Sequence, residues 1–529
     1  MADAQAAPVP GGPADGGSAR PGADPSVGMR REVLVVLPGL LLAIMLAMLD
    51  QLIVGTALPR IVGDLGGVAH LSWVVTAYVL ASTITTPLYG KLGDMYGRKR
   101  LFMTAIVIFL AGSALAGLSH SMAELIMFRA IQGLGAGGLM VSAIAIIGDL
   151  VSPRERGQYM GYIMAVMMIA TIGGPLLGGY ITDTVSWRWI FYINLPIGGV
   201  ALAYLAATLR LPRRRVEHRV DYLGAVVLAV ATTAIVLVST WGGTQYGWGS
   251  PQVLGLIAVA VVSVPGFLLV ESRAAEPILP LHIFRSSNFS LVTGLSFLAG
   301  LAMFGAITFL PLYQQTVQGA SPTVSGLLLT PMMVGVMITS LIAGQITTRT
   351  GRYRALPIIG SAGMTLGMYL LSLLGVATSR VESGLYMVVL GLGMGFLMQL
   401  TTLLAQNSVA PADIGVASSS RLFFQQIGGS IGVSAFGAIF ARRLQDALGA
   451  VSPNVHIAAS GGQLNPATVK VLPAAVQHDV FYAISHAVQG VFLWAIPATA
   501  LAFVLTWFIK EVPLRGRAAA EEPAPELVG

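Results

Sequence analysis

The sequence predicts an all-α polytopic membrane protein with fourteen spans, on three observations. Of its 529 residues, 55% are hydrophobic and 10% charged, with a mean hydropathy of +0.78, well beyond a soluble globular average. Apolar runs of about 20 residues, the length that crosses a hydrocarbon core, recur along the chain. Lys and Arg gather in alternate connections, the pattern that insertion topology produces. The net charge of +7 therefore needs no nucleic acid to explain it. The absence of Cys excludes disulfides and thiolate metal sites, and the seven His have no ligand spacing, so no metal is expected.

Residues 1–28 are Ala, Gly and Pro with scattered Asp; they lack the basic start and short apolar core of a cleaved signal, so a disordered tail is expected and the first span must direct insertion. The first six spans are expected at 33–57, 71–90, 101–118, 122–147, 158–182 and 189–209. The basic stretch RLPRRRVEHR at 210–219 anchors the connection to the seventh and eighth, at 223–240 and 253–270. The last six are expected at 289–313, 323–347, 355–376, 384–409, 422–441 and 487–509, with 442–486 as the longest outside segment and 510–529 as a second tail. With the N-terminus inside, 22 Lys and Arg fall on the cytoplasmic side and 6 on the other. Both termini are then cytoplasmic, which requires an even number of spans.

Two basic turns echo one another. GKLGDMYGRKR (90–100) follows the second span and GQITTRTGRYR (344–354) the tenth: Gly90 matches Gly344, Gly97 matches Gly351, Arg98 matches Arg352 and Arg100 matches Arg354. The offset of eight spans suits two six-helix bundles, 29–209 and 289–509, separated by a linker at 210–288 with an extra helix pair.

Inside the first span stands Asp50. A charge at membrane depth costs about 2.5 kcal/mol or more, which makes an intramembrane acid a functional-site candidate once a partner can be named. Arg129 is that partner. Asp50 lies seven residues before the outer end of the first span and Arg129 seven after that of the fourth, each about 10 Å deep at the helical rise. No second basic side chain is expected at comparable depth, Arg421 being read as lying in or beside the thirteenth span. Burial disfavours an ionised carboxyl and a neighbouring guanidinium favours it, so a change in their distance or hydration would change which form is preferred. The competing reading is a static pair that fixes helix register. Glu124, Asp149 and Asp183 lie near span ends, where water reaches them.

In the basic turn, Gly90, Gly93 and Gly97 permit a tight reversal, Asp94 can meet a helix N-terminus, and Arg98 can bind carboxylates or carbonyls at a neighbouring helix end. In the fifth span Gly174 and Gly178 form a small-xxx-small face beside Gly179, and Pro175 removes a backbone donor and bends the helix. A lining for varied lipophilic molecules is expected from Gln132, Gln314, Gln315, Gln345, Gln399, Thr401, Gln406 and Asn407, with Met164, Met168, Phe304, Met394 and Met398 as adaptable apolar neighbours. Amides in membrane helices also bond simply from helix to helix.

These stretches carry a family resemblance. GKLGDMYGRKR resembles the loop signature of the major facilitator superfamily, and FRAIQGLGAGG (128–138) its fourth-span motif. MLDQLIVGTALP (48–59), WRWIFYINLPIG (187–198), LPLYQQTVQGASP (310–322) and AQNSV (405–409) are similar to signatures of the fourteen-span drug:proton antiporters, so the resemblance covers the whole membrane part. It implies the major facilitator fold, with Asp94 and Arg98 holding the cytoplasmic side closed across the halves. Thr348 replaces the acid in the second copy, so this latch should be carried by the first half alone. The resemblance also implies that GYIMAVMMIATIGGPLLGG (161–179) distinguishes exchange from uptake, although Ala170 stands where the family has glycine. Spans nine to fourteen hold no acid, whereas in relatives a carboxylate in this half assists multivalent cations; neutral or singly charged substrates are therefore expected.

The expected activity is proton-coupled export of lipophilic drugs or antibiotics across a bacterial inner membrane. It needs no cofactor beyond the coupling proton, and the chain is expected to act as a monomer among membrane lipid. The alternative within the same fold is a dedicated exporter of one endogenous metabolite. An enzyme would need a nucleophile with its base, a metal cluster or paired carboxylates, and the sequence offers none. A passive channel would give the lone acid no task.

Overall fold

In a computed structural model of the protein, residues 25–65, 71–151, 156–209, 221–243, 245–451 and 474–514 are described. Sixteen α-helices lie among them, with no β-strand beyond an isolated Gly242–Tyr246 bridge. The first bundle holds α1 (Pro25–Leu65), α2 (Leu71–Tyr96), α3 (Arg98–Leu118), α4 (Met122–Leu150), α5 (Arg156–Thr184), α6 (Trp189–Tyr192) and α7 (Asn194–Thr208). An additional pair follows, α8 (Tyr222–Trp241) and α9 (Pro251–Arg273). The second bundle holds α10 (Ser287–Thr316), α11 (Pro322–Leu328), α12 (Thr330–Thr350), α13 (Ala355–Leu371), α14 (Arg380–Asn407), α15 (Ile414–Val451) and α16 (Ala474–Trp507).

Two expected spans are each built from two helices, and proline explains both breaks. Pro196 has no N–H for the Tyr192 carbonyl, four residues back, and α6 ends at Tyr192. Pro331 likewise offers nothing to Leu327, and α11 ends at Leu328. Counting α6 with α7 and α11 with α12 gives fourteen rods. Among the described residues twelve segments are long and apolar enough to cross a membrane, and α13 is a shorter apolar helix. The fourteenth rod, α2, has 26 residues but carries Thr76, Ser82, Thr83, Thr85 and Thr86, whose hydroxyls mostly bond back to their own helix.

Serine caps start many of these helices. Ser121, Ser250, Ser286, Ser321 and Ser379 each accept the backbone N–H three residues on, filling a donor that a helix start leaves open. The ends of the outside segment expected at 442–486 are helical: α15 continues to Val451 and α16 begins at Ala474, and Arg442, Arg443, Asp446 and the alanines around them are compatible with helix. Residues 1–24, 152–155, 210–220, 452–473 and 515–529 lie outside the described residues, and with them most of the two tails and the basic connection at 210–219.

The repeat suggested by the two basic turns extends into the packing. Gly97, with φ of +96°, joins α2 to α3, and Gly351, with φ of +70°, ends α12, so both glycines of the echo use a backbone that other residues rarely adopt. In the first bundle α4 is central: Gly133 and Gly137 press on the α2 backbone and Gly135 on the α3 backbone at Phe109. In the second, α14 repeats the arrangement, with Gly391 and Gly395 against α12 and Gly393 against α13 at Met364. Small residues allow such approach where burial alone gives membrane helices little reason to associate. Each bundle has its own apolar core, joined at the seam by Leu422 of α15, which belongs to the first, and by Met164 of α5, which packs on both. The bundles meet through α5 on α12 and through α2 and α4 on α15. The α8–α9 pair packs against α2 and α15, and α9 turns Leu254, Val261, Val262, Leu268 and Leu269 outward, as a lipid-facing helix does.

A Cβ on Gly135 would meet the Phe109 main chain. Gly135→Ala should therefore destabilise by about 1–3 kcal/mol, seen as a lower apparent melting temperature in detergent. Gly199→Ala, at a site with nothing nearby, should not. Equal melting of the two variants would refute the close-packed reading of α4.

Candidate functional site

The first bundle closes around Asp50, which is fully buried on α1. Arg129 of α4, 1% exposed, donates from Nη1 to Asp50 Oδ2 at 2.6 Å and to Gln132 Oε1 at 2.7 Å. Gln132 Nε2 and Asn194 Nδ2 both donate to Asp50 Oδ1 at 2.8 Å. The carboxylate thus receives three donors, one of them cationic, which is the condition for holding a charge away from water. Arg129 is held in turn: its Nε donates to the Val74 carbonyl at 3.2 Å, and its guanidinium lies 4.1 Å from the centre of the Tyr78 ring. Tyr78 is fixed by its hydroxyl, which donates to the Ala47 carbonyl. Asn194 Nδ2 also reaches Ser113 Oγ at 2.9 Å, while its own Oδ1 has no partner.

Sequence spacing paired Asp50 with Arg129 but missed Asn194, Tyr78 and Ser113. Asn194 was legible as a polar residue inside the sixth apolar run; Tyr78 and Ser113 carried no signal, because their roles come from helix packing. The expectation of no second basic side chain at depth is corrected. Arg421 is 4% exposed within α15, with Nη1 donating to Gln425 Oε1 at 3.0 Å and Nε without a partner. The serines before it are polar in composition, yet they continue the helix from Ile414 and carry Arg421 two turns inside.

A second constellation joins the bundles at the end bearing the basic turns. Asp94 Oδ2 accepts the Val416 N–H at 3.0 Å, in the first turn of α15. Its Oδ1 accepts from Arg98 Nη2 at 2.7 Å and Nε at 3.2 Å. Arg98 Nη1 reaches Asp149 Oδ2 at 2.9 Å and donates to the Ala145 carbonyl, tying the start of α3 to the end of α4. Gly90 lies against Ser419 and Gly415, and Gly415 lies against the Asp94 carboxyl, so neither position has room for a Cβ. Gly93 has the Arg98 side chain beside it. In the second copy Thr348 donates to the Gly344 carbonyl of its own helix. There Tyr353 holds the C-terminal segment of its own bundle, donating to the Val512 carbonyl at 2.9 Å.

On α5, Gly174 packs on Leu52 and Ile53 of α1, directly after Asp50, and Gly178 is buried; Gly179 faces open space. The Pro175 and Asp183 side chains lie outside the described residues.

The expected lining residues fall in different surroundings. Gln132 belongs to the Asp50 network. Gln406 donates to Ser418 Oγ at 2.9 Å and lies beside Gly148, near the end bearing the basic turns. Gln345 is exposed near the end of α12. Gln314 and Gln399 are buried in the second bundle, each with a carbonyl oxygen that has no partner. Met164 packs against both bundle cores, Phe304 and Met398 against the second, and Met168 is half-buried on α5. An apolar groove of about 500 Å³ lies elsewhere, between α3 and α7, lined by Met103, Val107 and Leu202 among others.

Residues 40–433 match the profile of the Major Facilitator Superfamily. The chain is 40% identical over 480 residues to an uncharacterized MFS-type transporter of Mycobacterium tuberculosis, covering 91% of this chain and 70% of that one. It is 35% identical over 525 residues to the multidrug transporter protein MdtP of Bacillus subtilis, covering 94% and 97%. Among solved structures the proton:xylose symporter XylE superposes with a TM-score of 0.61 at 14% identity, covering 92% of this chain and 98% of that one, a likeness of fold alone.

Removing Arg129 leaves the Asp50 charge buried with amide donors only. Arg129→Gln should cost about 3–5 kcal/mol, and Asp50→Asn combined with it should recover most of that loss. Denaturant unfolding of the two single variants and the double gives the coupling energy; strict additivity would mean that the two side chains do not act as a pair.

Proposed function

This chain belongs to the Major Facilitator Superfamily and is a multi-pass membrane transporter, and we propose that it is a proton-coupled antiporter. Its task is to export neutral or singly charged lipophilic drugs or antibiotics across the bacterial inner membrane, with both termini cytoplasmic and the chain working as a monomer. The observation that carries the reading is the fully buried Asp50 carboxyl, which meets Arg129 at 2.6 Å and two amide donors. The relative named as a multidrug transporter supports the substrate class.

The coupling works through competition for one carboxyl. Ionised, Asp50 engages Arg129, Gln132 and Asn194. Protonated, it no longer attracts the guanidinium, which keeps the Gln132 and Val74 oxygens and the Tyr78 face. Proton uptake therefore loosens α1 from α4, and proton release rejoins them. The Asp94 latch is the element this motion works against, since it ties α2 to the start of α15 across the two bundles. External protons enter at Asp50 and leave on the cytoplasmic side as the bundles rock about each other. No cofactor takes part.

The electrical driving force is about 2.3 kcal/mol per charge per 100 mV. One proton exchanged for one monovalent cation moves no net charge, so efflux of such a cation should follow the pH gradient and ignore a valinomycin-imposed potential in vesicles. Transport driven by potential alone would exclude that stoichiometry. Asp50→Asn should leave the protein at near-normal levels in the membrane while active efflux falls to the level seen with a protonophore. A normal accumulation ratio in this variant would refute the coupling role, and disappearance of the protein would point to a purely structural pair.

A further inference from the structure

The α8–α9 pair, which the transport reading leaves without a task, holds two carboxyl groups that both border Gly224. Asp221 caps α8: its Oδ1 accepts the Gly224 N–H at 2.8 Å, and its buried Oδ2 has no hydrogen-bond partner. Glu271, in the last turn of α9, is 3% exposed. Its Oε2 accepts the Leu279 N–H at 3.2 Å, and its buried Oε1 also has no partner. Both partnerless oxygens flank Gly224, where an added Cβ would collide with Asp221 Oδ2 and stand 3.1 Å from Glu271 Oε1. The bare glycine leaves room for both oxygens at one place.

The surroundings are apolar. Leu228 of α8, Phe267 of α9, Ile278, Leu279 and, from α15, Phe423 and Ile427 form one buried cluster, with Leu88 of α2 against it. Among the described residues, Asp221 and Lys91 are the charged groups that act on Glu271, and the Lys91 ammonium is held at 2.8 Å by Glu276. Two ionised carboxylates, each with a buried partnerless oxygen beside the same glycine, would be desolvated and mutually repelled at once. One hydrogen between them supplies what both oxygens lack, as in other carboxyl pairs that share a proton.

We propose that Asp221 and Glu271 bind one proton in common, forming a second proton site separate from the Asp50 network. The inference rests on this local geometry and not on the coupling role of Asp50. Losing the shared proton adds a negative charge beside Lys91, which then divides its attraction between this pair and Glu276. Since Lys91 lies in the turn that carries Asp94 and Arg98, the tether between α2 and the end of α9 would change strength with pH.

Infrared spectroscopy of the full chain in lipid nanodiscs tests the site, in an Asp50→Asn background so that Asp50 cannot contribute. At neutral pH the carbonyl stretch of a protonated carboxyl should be present, and Glu271→Gln and Asp221→Asn, each made alone, should remove the same single-carboxyl intensity. Both variants are near-isosteric, and the new amide can donate to the remaining carboxylate, so folding should persist; monodisperse elution checks it. Spectra unchanged by either substitution would overturn the proposal. So would an absent band together with thermal stabilisation by Na⁺ or Mg²⁺ that Glu271→Gln abolishes, since the oxygens would then hold a metal cation. If one variant fails to fold, the other reads the same band.

Discussion

The structure depends first on an ion pair that water does not reach. Taking two charges into an apolar interior costs several kcal/mol per ion, and mutual attraction offsets this only when the remaining hydrogen-bonding groups are also met. Around Asp50 and Arg129 that condition recruits α1, α2, α3, α4 and α7 together. Gln132 and Asn194 serve the carboxylate, while the Val74 carbonyl and the Tyr78 ring serve the guanidinium. The glycines of α4 follow from the same need, because Gly133 lies against the main chain at Tyr78 and brings the ring-bearing helix up to the cation.

The two bundles share a packing plan and differ in chemistry. Aligning Gly133, Gly135 and Gly137 of α4 with Gly391, Gly393 and Gly395 of α14 puts Met387 where Arg129 stands and Leu390 where Gln132 stands. Both substitutes are fully buried, and the Met387 sulfur accepts from Gln314. The basic turns diverge in the same sense: Asp94 reaches across to α15, whereas Thr348 bonds within its own helix and Tyr353 within its own bundle. The first bundle thus carries the buried charge pair, and its Asp94 makes a cross-bundle contact for which the second presents the helix start.

Much of this was legible in the chain because the bilayer leaves so few options. Length and hydropathy gave the rods, and equal depth paired Asp50 with Arg129. Legibility failed where tertiary packing decides. Arg421 follows three serines, and composition alone cannot tell a polar lead-in from polar residues already inside a helix. Gln345 and Gln406 match the chemistry of a cavity lining, but their positions near helix ends put one at the surface and the other in the seam between bundles. Asp221 and Glu271 lie 50 positions apart and bracket a helix pair, so only the fold shows that both border Gly224.

One helix links the two networks. Arg129 and Ala145 both lie on α4, sixteen residues and therefore about 24 Å apart. Near the first, the helix is held by the Asp50 carboxyl; near the second, Arg98 grips the Ala145 carbonyl and Asp149 while sharing Asp94 with α15. A helix so closely packed along its length transmits displacement more readily than it bends. In the proposed exchange, a proton arriving at Asp50 releases one clamp on α4, and the strain is felt at Arg98, whose fork holds Asp94 in line with the α15 amide. The acid and the latch then need no direct contact to be coupled, because they are two attachments of the same rigid rod.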